Sequence, residues 1–441
     1  MLKLDTSLLN LDLSKLLADK QNKLIEILAD LEKRSSDKTD WLGWLKLHEN
    51  KNEFLEIQNF ADKIINSGKY ENLVVLGIGG SALGPQCLIQ ALKSPTWNEL
   101  NKEQRDNALK TYFIDNVDPD WTNEILSHID ISKTLFCVIT KSGGTAETIS
   151  AFLWVIDALK KQLGDNWRDN LVAITDPEKG TLRAFVNREK ISNFSVAPNV
   201  GGRFSVFSPV GMLPLALTGV KVEKFREGLV KAYEDLLNPS KIKENIASQL
   251  ALVLTHYEQN GKRINPLMPY SSKLARISDW YVQLVAESLG KTPEIGPCPI
   301  KAVGATDQHS QLQLFAEGPL DKIVFFIKVT NFTNDFAIPT EPVEGFENLA
   351  GESMKRLIHA EGQGTAKAIH KKGVPSLTIE LSEINEGNLA YLLFSFEVMT
   401  AIAGQLYNID PFNQPGVELS KKFTYALLGK KGYEKYLDEV R

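Results

Sequence analysis

Short apolar runs alternate with longer amphipathic stretches through the first half of the chain. Four runs rich in β-branched residues occur at 73–78, 111–115, 135–140 and 171–175. Each is apolar on both faces, and helical stretches separate them. Strands that are buried on both faces and alternate with helices form parallel sheets covered by helices on each side. The pattern therefore predicts a parallel sheet in this half of the protein.

A second series of the same kind follows a helical region near 222–259. In it we predict strands at 264–268, 322–329 and 376–381 and helices near 273–290 and 350–372. Two such series indicate an α/β protein with two doubly wound parallel-sheet subdomains.

The two ends of the chain have a helical pattern. Leu24, Leu28 and Leu31 follow helical spacing and predict an amphipathic N-terminal layer. Near the C-terminus, a helix at 386–406 precedes a basic helical tail. We therefore predict an N-terminal helical layer at 1–65, followed by two α/β subdomains at 66–230 and 231–400. A C-terminal helical arm that carries active-site residues is predicted at 401–441.

Charge and cysteine content restrict the class of protein. The chain carries 50 Lys and Arg against 55 Asp and Glu, a net charge of −5, so we expect neither nucleic acid nor membrane as a partner. Its three cysteines, Cys87, Cys137 and Cys298, form no CxxC pair and indicate a reducing compartment. The N-terminus has no uninterrupted apolar core of a signal peptide, and no stretch approaches about 20 apolar residues. We therefore expect a cytoplasmic protein.

The first predicted strand runs into a glycine-rich turn, residues 77–85, which we call the first turn. It reads GIGGSALGP, and a helix is predicted to begin near Pro85. Glycines after a strand let backbone N–H groups approach an anion, the helix dipole adds positive charge, and Ser81 adds a hydroxyl. Because G-x-G-G-S is not G-x-G-x-x-G, the dinucleotide fingerprint fails. The first turn alone is either a tight βα connection or an anion site.

A second turn of this kind, residues 140–148, follows the strand at 135–140. It reads TKSGGTAET and offers hydroxyl groups and one ammonium, including those of Thr140, Lys141, Ser142 and Thr145. The G-K-[ST] order of a Walker loop is absent. Two such turns at the carboxyl ends of strands in one sheet predict a phosphate held between them. Helix capping by Ser142 or Thr145 is the alternative, and it is compatible with phosphate binding.

Four segments together resemble a known family. LGIGGSALGP and TKSGGTAET resemble the sugar-phosphate-binding loops of the sugar isomerase domain. NVGGRFSVFSPVGMLPLALTG at 199–219 and AGQLYNIDPFNQPGVELSKK at 403–422 resemble the two signatures of the glucose-6-phosphate isomerase family. The resemblance implies two sugar-isomerase-type subdomains and phosphate contacts that include Gly80 and Ser81. One departure is Gly143-Gly144, where many relatives carry an aromatic residue and a threonine.

The resemblance implies reversible isomerisation of glucose-6-phosphate and fructose-6-phosphate by ring opening and a cis-enediolate. Such chemistry needs a carboxylate that moves one proton. Glu287 and Gln283 are four residues apart on one predicted helical face. Gly290 ends that helix, so Glu287 lies in the last turn, where the dipole disfavours negative charge. By resemblance, Glu287 is the catalytic base and Gln283 a substrate ligand.

The enediolate needs a fixed cation that does not lose its proton, and a guanidinium suits this. Arg203 follows Gly201-Gly202, which would let it sit close to a ligand. The resemblance implies that Arg203 is the active-site arginine and places Gly202 in the substrate site. A structural arginine that binds loop carbonyls is the alternative.

Ring opening needs an acid and a base. A histidine can serve as either near neutral pH, and His309 in GATDQHSQ is the candidate. The resemblance implies that His309 reaches the site from a partner subunit, and hence a homodimer. It also implies that Lys421 opens the ring and that Gln414 binds substrate. An exposed lysine on a terminal helix is the alternative for Lys421.

Other functions remain open at this point. A related isomerase could accept mannose-6-phosphate, alone or as well. A non-catalytic sugar-phosphate sensor would keep the phosphate turns and could lose the acid–base residues, which are all present here. No motif has metal-ligand spacing, so we predict neither a metal nor another cofactor.

Overall fold

Ten strands form two five-stranded sheets in residues 2–341 and 343–440, which the computed structural model describes. In chain order the strands are β1 (Leu2–Asp5), β2 (Asn72–Leu76), β3 (Lys110–Ile114), β4 (Thr134–Ile139), β5 (Leu171–Thr175), β6 (Ser192–Ser195), β7 (Ile264–Tyr270), β8 (Cys298–Lys301), β9 (Val324–Val329) and β10 (Ser376–Leu381).

Helices pack on both faces of the sheets. In chain order they are α1 (Leu13–Ser35), α2 (Lys51–Ser67), α3 (Leu83–Leu92), α4 (Pro119–His128), α5 (Ala146–Leu163), α6 (Thr181–Glu189), α7 (Pro209–Ala216), α8 (Glu223–Leu236), α9 (Ile246–Gln259), α10 (Ala275–Leu289), α11 (Leu312–Glu317), α12 (Met354–Lys371), α13 (Glu386–Leu406), α14 (Glu418–Leu427) and α15 (Leu437–Val440). Short 3₁₀ turns, among them Gly202–Phe204 and Thr306–His309, lie between them.

The first sheet has the order β3-β2-β4-β5-β6, and all its strands are parallel. Successive residues of β2 enter two different cores. Leu73 and Val75 pack into the larger core, whereas Val74 and Leu76 face the smaller core under α5. This burial on both faces explains the uninterrupted apolar run and confirms the predicted parallel sheet.

The second sheet has the order β1-β10-β9-β7-β8. Its strands are parallel except β1, which pairs antiparallel with β10 so that Leu2 lies opposite Leu381. Phe325 and Ile327 of β9 face the larger core, and Phe326 faces a third core. The predicted α/β architecture with two doubly wound subdomains is confirmed.

Three short strands differ from the sequence prediction. Strand β1 lies within 1–65, so the N-terminal layer is not wholly helical. The sequence of β6, SNFS, is polar, and that of β8, CPIK, contains a proline. All three are four-residue edge strands. An edge strand pairs on one side only, so it needs no long apolar run.

Helix α13 lies at the centre of the molecule, packed against α8, α9 and α10. The Asn385 side chain caps its N-terminus by accepting from the Asn388 N–H. By length and composition α13 is apolar enough to cross a membrane, but 89% of its most apolar window is buried inside the protein. The hydropathy of α13 is therefore that of a core helix. The predicted boundaries at 230/231 and 400/401 fall inside α8 and α13, and the domain division stays a prediction.

Candidate active site

The two glycine-rich turns lie side by side at one edge of the first sheet. β2 and β4 are hydrogen-bonded parallel neighbours, with Leu76 opposite Val138. Because both turns follow the carboxyl ends of these strands, they begin at the same edge. A helix follows each turn, α3 from Leu83 and α5 from Ala146. The structure therefore brings together the backbone segments that the sequence predicts to hold an anion.

Three hydroxyl groups meet in the second turn. Thr140 Oγ1 lies 2.9 Å from Thr145 Oγ1 and 3.5 Å from Ser142 Oγ. Thr145 occupies the N-cap position of α5, yet its side chain makes no capping hydrogen bond. The hydroxyls thus converge at the N-terminus of an 18-residue helix, where backbone N–H groups and the helix dipole favour an anion.

Lys141 points away from these hydroxyls. Its Nζ donates to the carbonyls of Pro198 at 2.5 Å and Val200 at 2.9 Å, and it lies 4.4 Å from the centroid of the Trp41 ring. Burial lowers the pKa of Lys141 to about 8, and the Asp176 carboxylate opposes this shift. Lys141 therefore ties the second turn to the segment before the predicted arginine, and direct phosphate contact by Lys141 stays a prediction.

The first turn packs backbone to backbone against Gly202. A Cβ placed on Gly80 would lie 2.2 Å from the Gly202 carbonyl oxygen, so only glycine fits at Gly80. Gly79 has a φ of +57°, and its Cβ position is 3.0 Å from Gln283 Nε2. Ser81 is partly buried in the same turn. The first turn is thus in contact with both Gly202 and the predicted substrate ligand Gln283.

Arg203 is 3% exposed, and each nitrogen of its guanidinium donates a hydrogen bond. Its Nε donates to Ser288 Oγ at 2.7 Å, and one terminal nitrogen donates to Gln414 Oε1 at 2.5 Å. The other terminal nitrogen donates to the carbonyls of Pro411 and Asn413. Residues 411–414, which we call the C-terminal segment, are therefore fixed to the rest of the site by one guanidinium.

Glu287 lies beside this guanidinium in the last turn of α10, which Gly290 ends as predicted. One carboxylate oxygen is 3.3 Å from Arg203, and the other accepts from Gln283 Nε2 at 3.1 Å. Burial lowers the pKa of Arg203, while the Glu287 and Asp410 carboxylates oppose the shift. The Glu287 side chain keeps 23% exposure, and Gln283 Oε1 is buried without a hydrogen-bond partner among the described residues. The carboxylate is held, yet accessible to a ligand.

Lys291 completes this group and was not predicted. Its ammonium donates to the backbone carbonyl of Glu287 at 2.9 Å and to that of Asn413. A lysine next to a helix-ending glycine is a common C-terminal signal, which is the one indication that the sequence offers. It links the helix that carries Glu287 to the C-terminal segment that carries Gln414.

Lys421 lies on α14 with 55% of its side chain exposed, 2.8 Å from Glu418. Tyr425, one helical turn later, donates from its hydroxyl to the Gly144 carbonyl at 3.0 Å. This contact docks the C-terminal arm on the second turn, and Lys421 shares the face of Tyr425. No hydrogen bond among residues 2–341 and 343–440 joins Lys421 to Glu287.

His309 follows the edge strand β8 of the second sheet. It ends the 3₁₀ turn Thr306–His309 after β8 and is exposed. Within the described parts of the chain, no hydrogen bond joins His309 to Arg203 or Glu287. The contacts within one chain therefore join the predicted arginine, glutamate, glutamines and first turn, and the hydrogen bonds among them do not include this histidine.

A cavity of about 660 Å³ lies elsewhere, between α12 and one face of the second sheet. Tyr270, Lys328, Arg356 and His359 line it, and none of the predicted site residues does. Among the residues that the structure describes, no group of three His, Cys, Asp or Glu side chains is arranged to hold a metal ion.

Comparison with known proteins yields a consistent family. The family model described as Phosphoglucose isomerase matches residues 47–436. A glucose-6-phosphate isomerase from Carboxydothermus hydrogenoformans is 41% identical over 397 residues, which cover 88% of this chain and 85% of the relative. One from Rubrobacter xylanophilus is 40% identical over 399 residues, covering 89% of this chain and 90% of the relative.

Solved structures agree with these sequence matches. A hypothetical protein from Thermus thermophilus superposes with a TM-score of 0.88 at 34% identity, covering 97% of this chain and all of that chain. A glucose-6-phosphate isomerase from Chlamydia trachomatis superposes with a TM-score of 0.81 at 21% identity, covering 100% of this chain and 92% of that chain. The second match concerns the fold alone.

Proposed function

The chain belongs to the phosphoglucose isomerase family, and from this premise we propose that it interconverts glucose-6-phosphate and fructose-6-phosphate. The observation that carries the proposal is the 3.3 Å contact between Arg203 and Glu287, because it sets a candidate base beside a fixed cation. The backbone of Gly202 joins this pair to the first turn. A phosphate held by the turns would place the sugar carbons toward the carboxylate.

The phosphate is bound by the two turns. Hydroxyls of Ser81, Thr140, Ser142 and Thr145 donate to its oxygens together with backbone N–H groups. The N-terminus of α5 contributes partial positive charge without a mobile side chain. Because these donors are largely fixed by the backbone, little conformational entropy is lost when the dianion binds.

Glu287 moves the proton between C1 and C2. Its carboxylate takes the C2 proton of the open-chain aldose, the C2–H electron pair forms the C1=C2 bond, and the carbonyl electrons move to O1. Arg203 stabilises the resulting enediolate. The O2 proton is transferred to O1, and the carboxylic acid returns its proton to C1, which gives the ketose. Gln283 and Gln414 orient the substrate hydroxyls.

Ring opening is assigned to His309 and Lys421. Since His309 is exposed on its own chain and does not join Glu287 there, we propose that a second copy of the chain supplies it across a homodimer interface. Lys421 lies on α14, which the Tyr425 contact docks on the second turn, one helical turn before Tyr425. The net charge of −5 and the three unpaired cysteines support a cytoplasmic location.

A coupled assay tests the proposed function. Purified protein should convert glucose-6-phosphate to fructose-6-phosphate, and the reverse, in the presence of a chelator because no step uses a metal. The same assay with mannose-6-phosphate measures the alternative specificity. Absence of turnover with glucose-6-phosphate and fructose-6-phosphate, or turnover only with mannose-6-phosphate, would contradict the proposal.

Replacement of Lys421 by methionine should slow turnover of the closed-ring sugar more than that of an open-chain substrate analogue. The reason is that an acid–base group for ring opening is not needed once the ring is open. We expect a loss of about 10²-fold on the closed ring, measured as kcat/KM.

Lys422→Met is the matched control for Lys421. The Lys422 ammonium lies 5.6 Å from the centroid of the Tyr436 ring, away from the proposed chemistry. This variant should behave as wild type. Equal losses on closed-ring and open-chain substrates in Lys421→Met would argue against the ring-opening role.

A further inference from the structure

Lys291 is a charged group of the site to which neither the mechanism above nor the family resemblance gives a role. We propose that Lys291 is a positioning residue for the isomerisation, acting through Glu287: its ammonium binds the Glu287 carbonyl and so fixes the last turn of α10, which carries the base. The inference rests on the proposed function of the site. It concerns the placement of the base, and not contact with substrate.

The backbone geometry gives the first argument. The last carbonyls of a helix have no partner within the helix. The Gly290 N–H donates a hydrogen bond to the Ala286 carbonyl at 3.0 Å, and the Lys291 ammonium donates one to the Glu287 carbonyl at 2.9 Å. The residue that carries the base is thus held at its own backbone. A shift of the base by about 1 Å can lower a rate by about 10²-fold.

The C-terminal segment gives the second argument. Lys291 also donates to the Asn413 carbonyl, but Arg203 already donates to that carbonyl at 3.1 Å and to Pro411. The segment therefore has other anchors. The bond from Lys291 to Glu287 has no such duplicate among the described residues.

The charges around Lys291 give the third argument. Burial lowers the pKa of Lys291 and the Arg203 cation lowers it further, while the carboxylates of Asp410 and Glu287 oppose the shift. The Lys291 ammonium therefore interacts electrostatically with the Arg203 guanidinium and with the carboxylates of Glu287 and Asp410. Loss of the Lys291 charge would therefore change the electrostatic surroundings of Glu287 as well as the anchoring of its backbone.

Lys291→Met, which removes the charge and keeps the stem, tests the proposal together with Lys291→Arg. We expect Lys291→Met to lower kcat by roughly 30- to 100-fold with KM changed less than about 3-fold. The unequal effect on kcat and KM is expected because the base is displaced while the contacts that bind substrate remain. Lys291→Arg, which keeps a cationic donor, should restore most of the rate.

Lys102→Met is the matched control, since the Lys102 ammonium also binds a carbonyl at a helix end, that of Gly68 after α2, at 3.0 Å. It should keep the wild-type kcat and KM. The folded fraction of each variant is measured by circular dichroism, and kcat is expressed per folded protein, so that positioning is distinguished from misfolding. A Lys291→Met enzyme with the wild-type kcat, or a Lys291→Arg enzyme as slow as Lys291→Met, would overturn the proposal. If wild type itself does not isomerise, the proposed function fails instead.

Discussion

Replacement of Glu287 by glutamine should lower kcat by about 10³-fold while the protein stays folded. Glutamine has nearly the same shape, but its amide cannot accept the C2 proton. The change also removes the ionic partner of Arg203, so we expect the free energy of unfolding to fall by about 1 kcal/mol. The coupled assay and urea denaturation measure the two effects.

Glu294→Gln serves as the control for this substitution. Glu294 follows the same helix and is exposed, so its variant should match wild type in both measurements. If Glu287→Gln kept more than about a tenth of the wild-type kcat, Glu287 would not be the proton carrier.

Replacement of Arg203 by lysine should lower kcat/KM by about 10²- to 10³-fold, because one ammonium cannot reproduce the planar set of donors beside the enediolate. Lysine also cannot reach all the acceptors that Arg203 holds, on Ser288, Gln414 and the C-terminal segment. Buried acceptors left unpaired should lower the free energy of unfolding by about 1–3 kcal/mol. Steady-state kinetics and urea denaturation give both values.

Arg183→Lys separates the loss of a buried arginine from the loss of catalysis. Arg183 is 5% exposed and donates to the Asp176 carbonyl, Asn193 Oδ1 and Ser195 Oγ. Its replacement should destabilise the protein by a similar amount and leave the kcat of the folded fraction unchanged. Near-normal kcat/KM in Arg203→Lys would show that the guanidinium does not stabilise the reaction.

The central strands could be predicted because nearly all their residues are buried and their sequences are strongly apolar. β2 and β4 are buried on both faces, and their sequences, NLVVL and TLFCVI, are mostly apolar with several β-branched residues. The edge strands β1 and β6 have four residues each and bury few side chains, so local sequence offers no comparable signal. Their pairing depends on partners more than a hundred residues away or on a neighbouring strand already in place.

The site shows the same division between local and distant information. Glu287 and Gln283 are predictable as a pair, since four residues on a helix bring two side chains to one face. The contacts of Arg203 with the carbonyls of Pro411 and Asn413 could not be predicted. Every residue has a backbone carbonyl, and only the folded structure determines which of them lie next to Arg203. The partners of Lys141 escaped prediction for the same reason. Its place in a polar turn indicated phosphate, whereas the structure directs its ammonium to backbone carbonyls.

Exchange of solvent hydrogen tests the proton transfer most directly. Wild-type protein incubated with glucose-6-phosphate in D₂O should give fructose-6-phosphate that carries deuterium at C1, detected by NMR or mass spectrometry. Incorporation is expected because a carboxylic acid at residue 287 exchanges its proton with solvent before returning it. Glu287→Gln should incorporate none above the enzyme-free rate. Repeated interconversion of the two sugars by wild type without any deuterium uptake would mean that the transferred hydrogen never becomes an exchangeable proton on an accessible carboxylic acid, and would contradict the account.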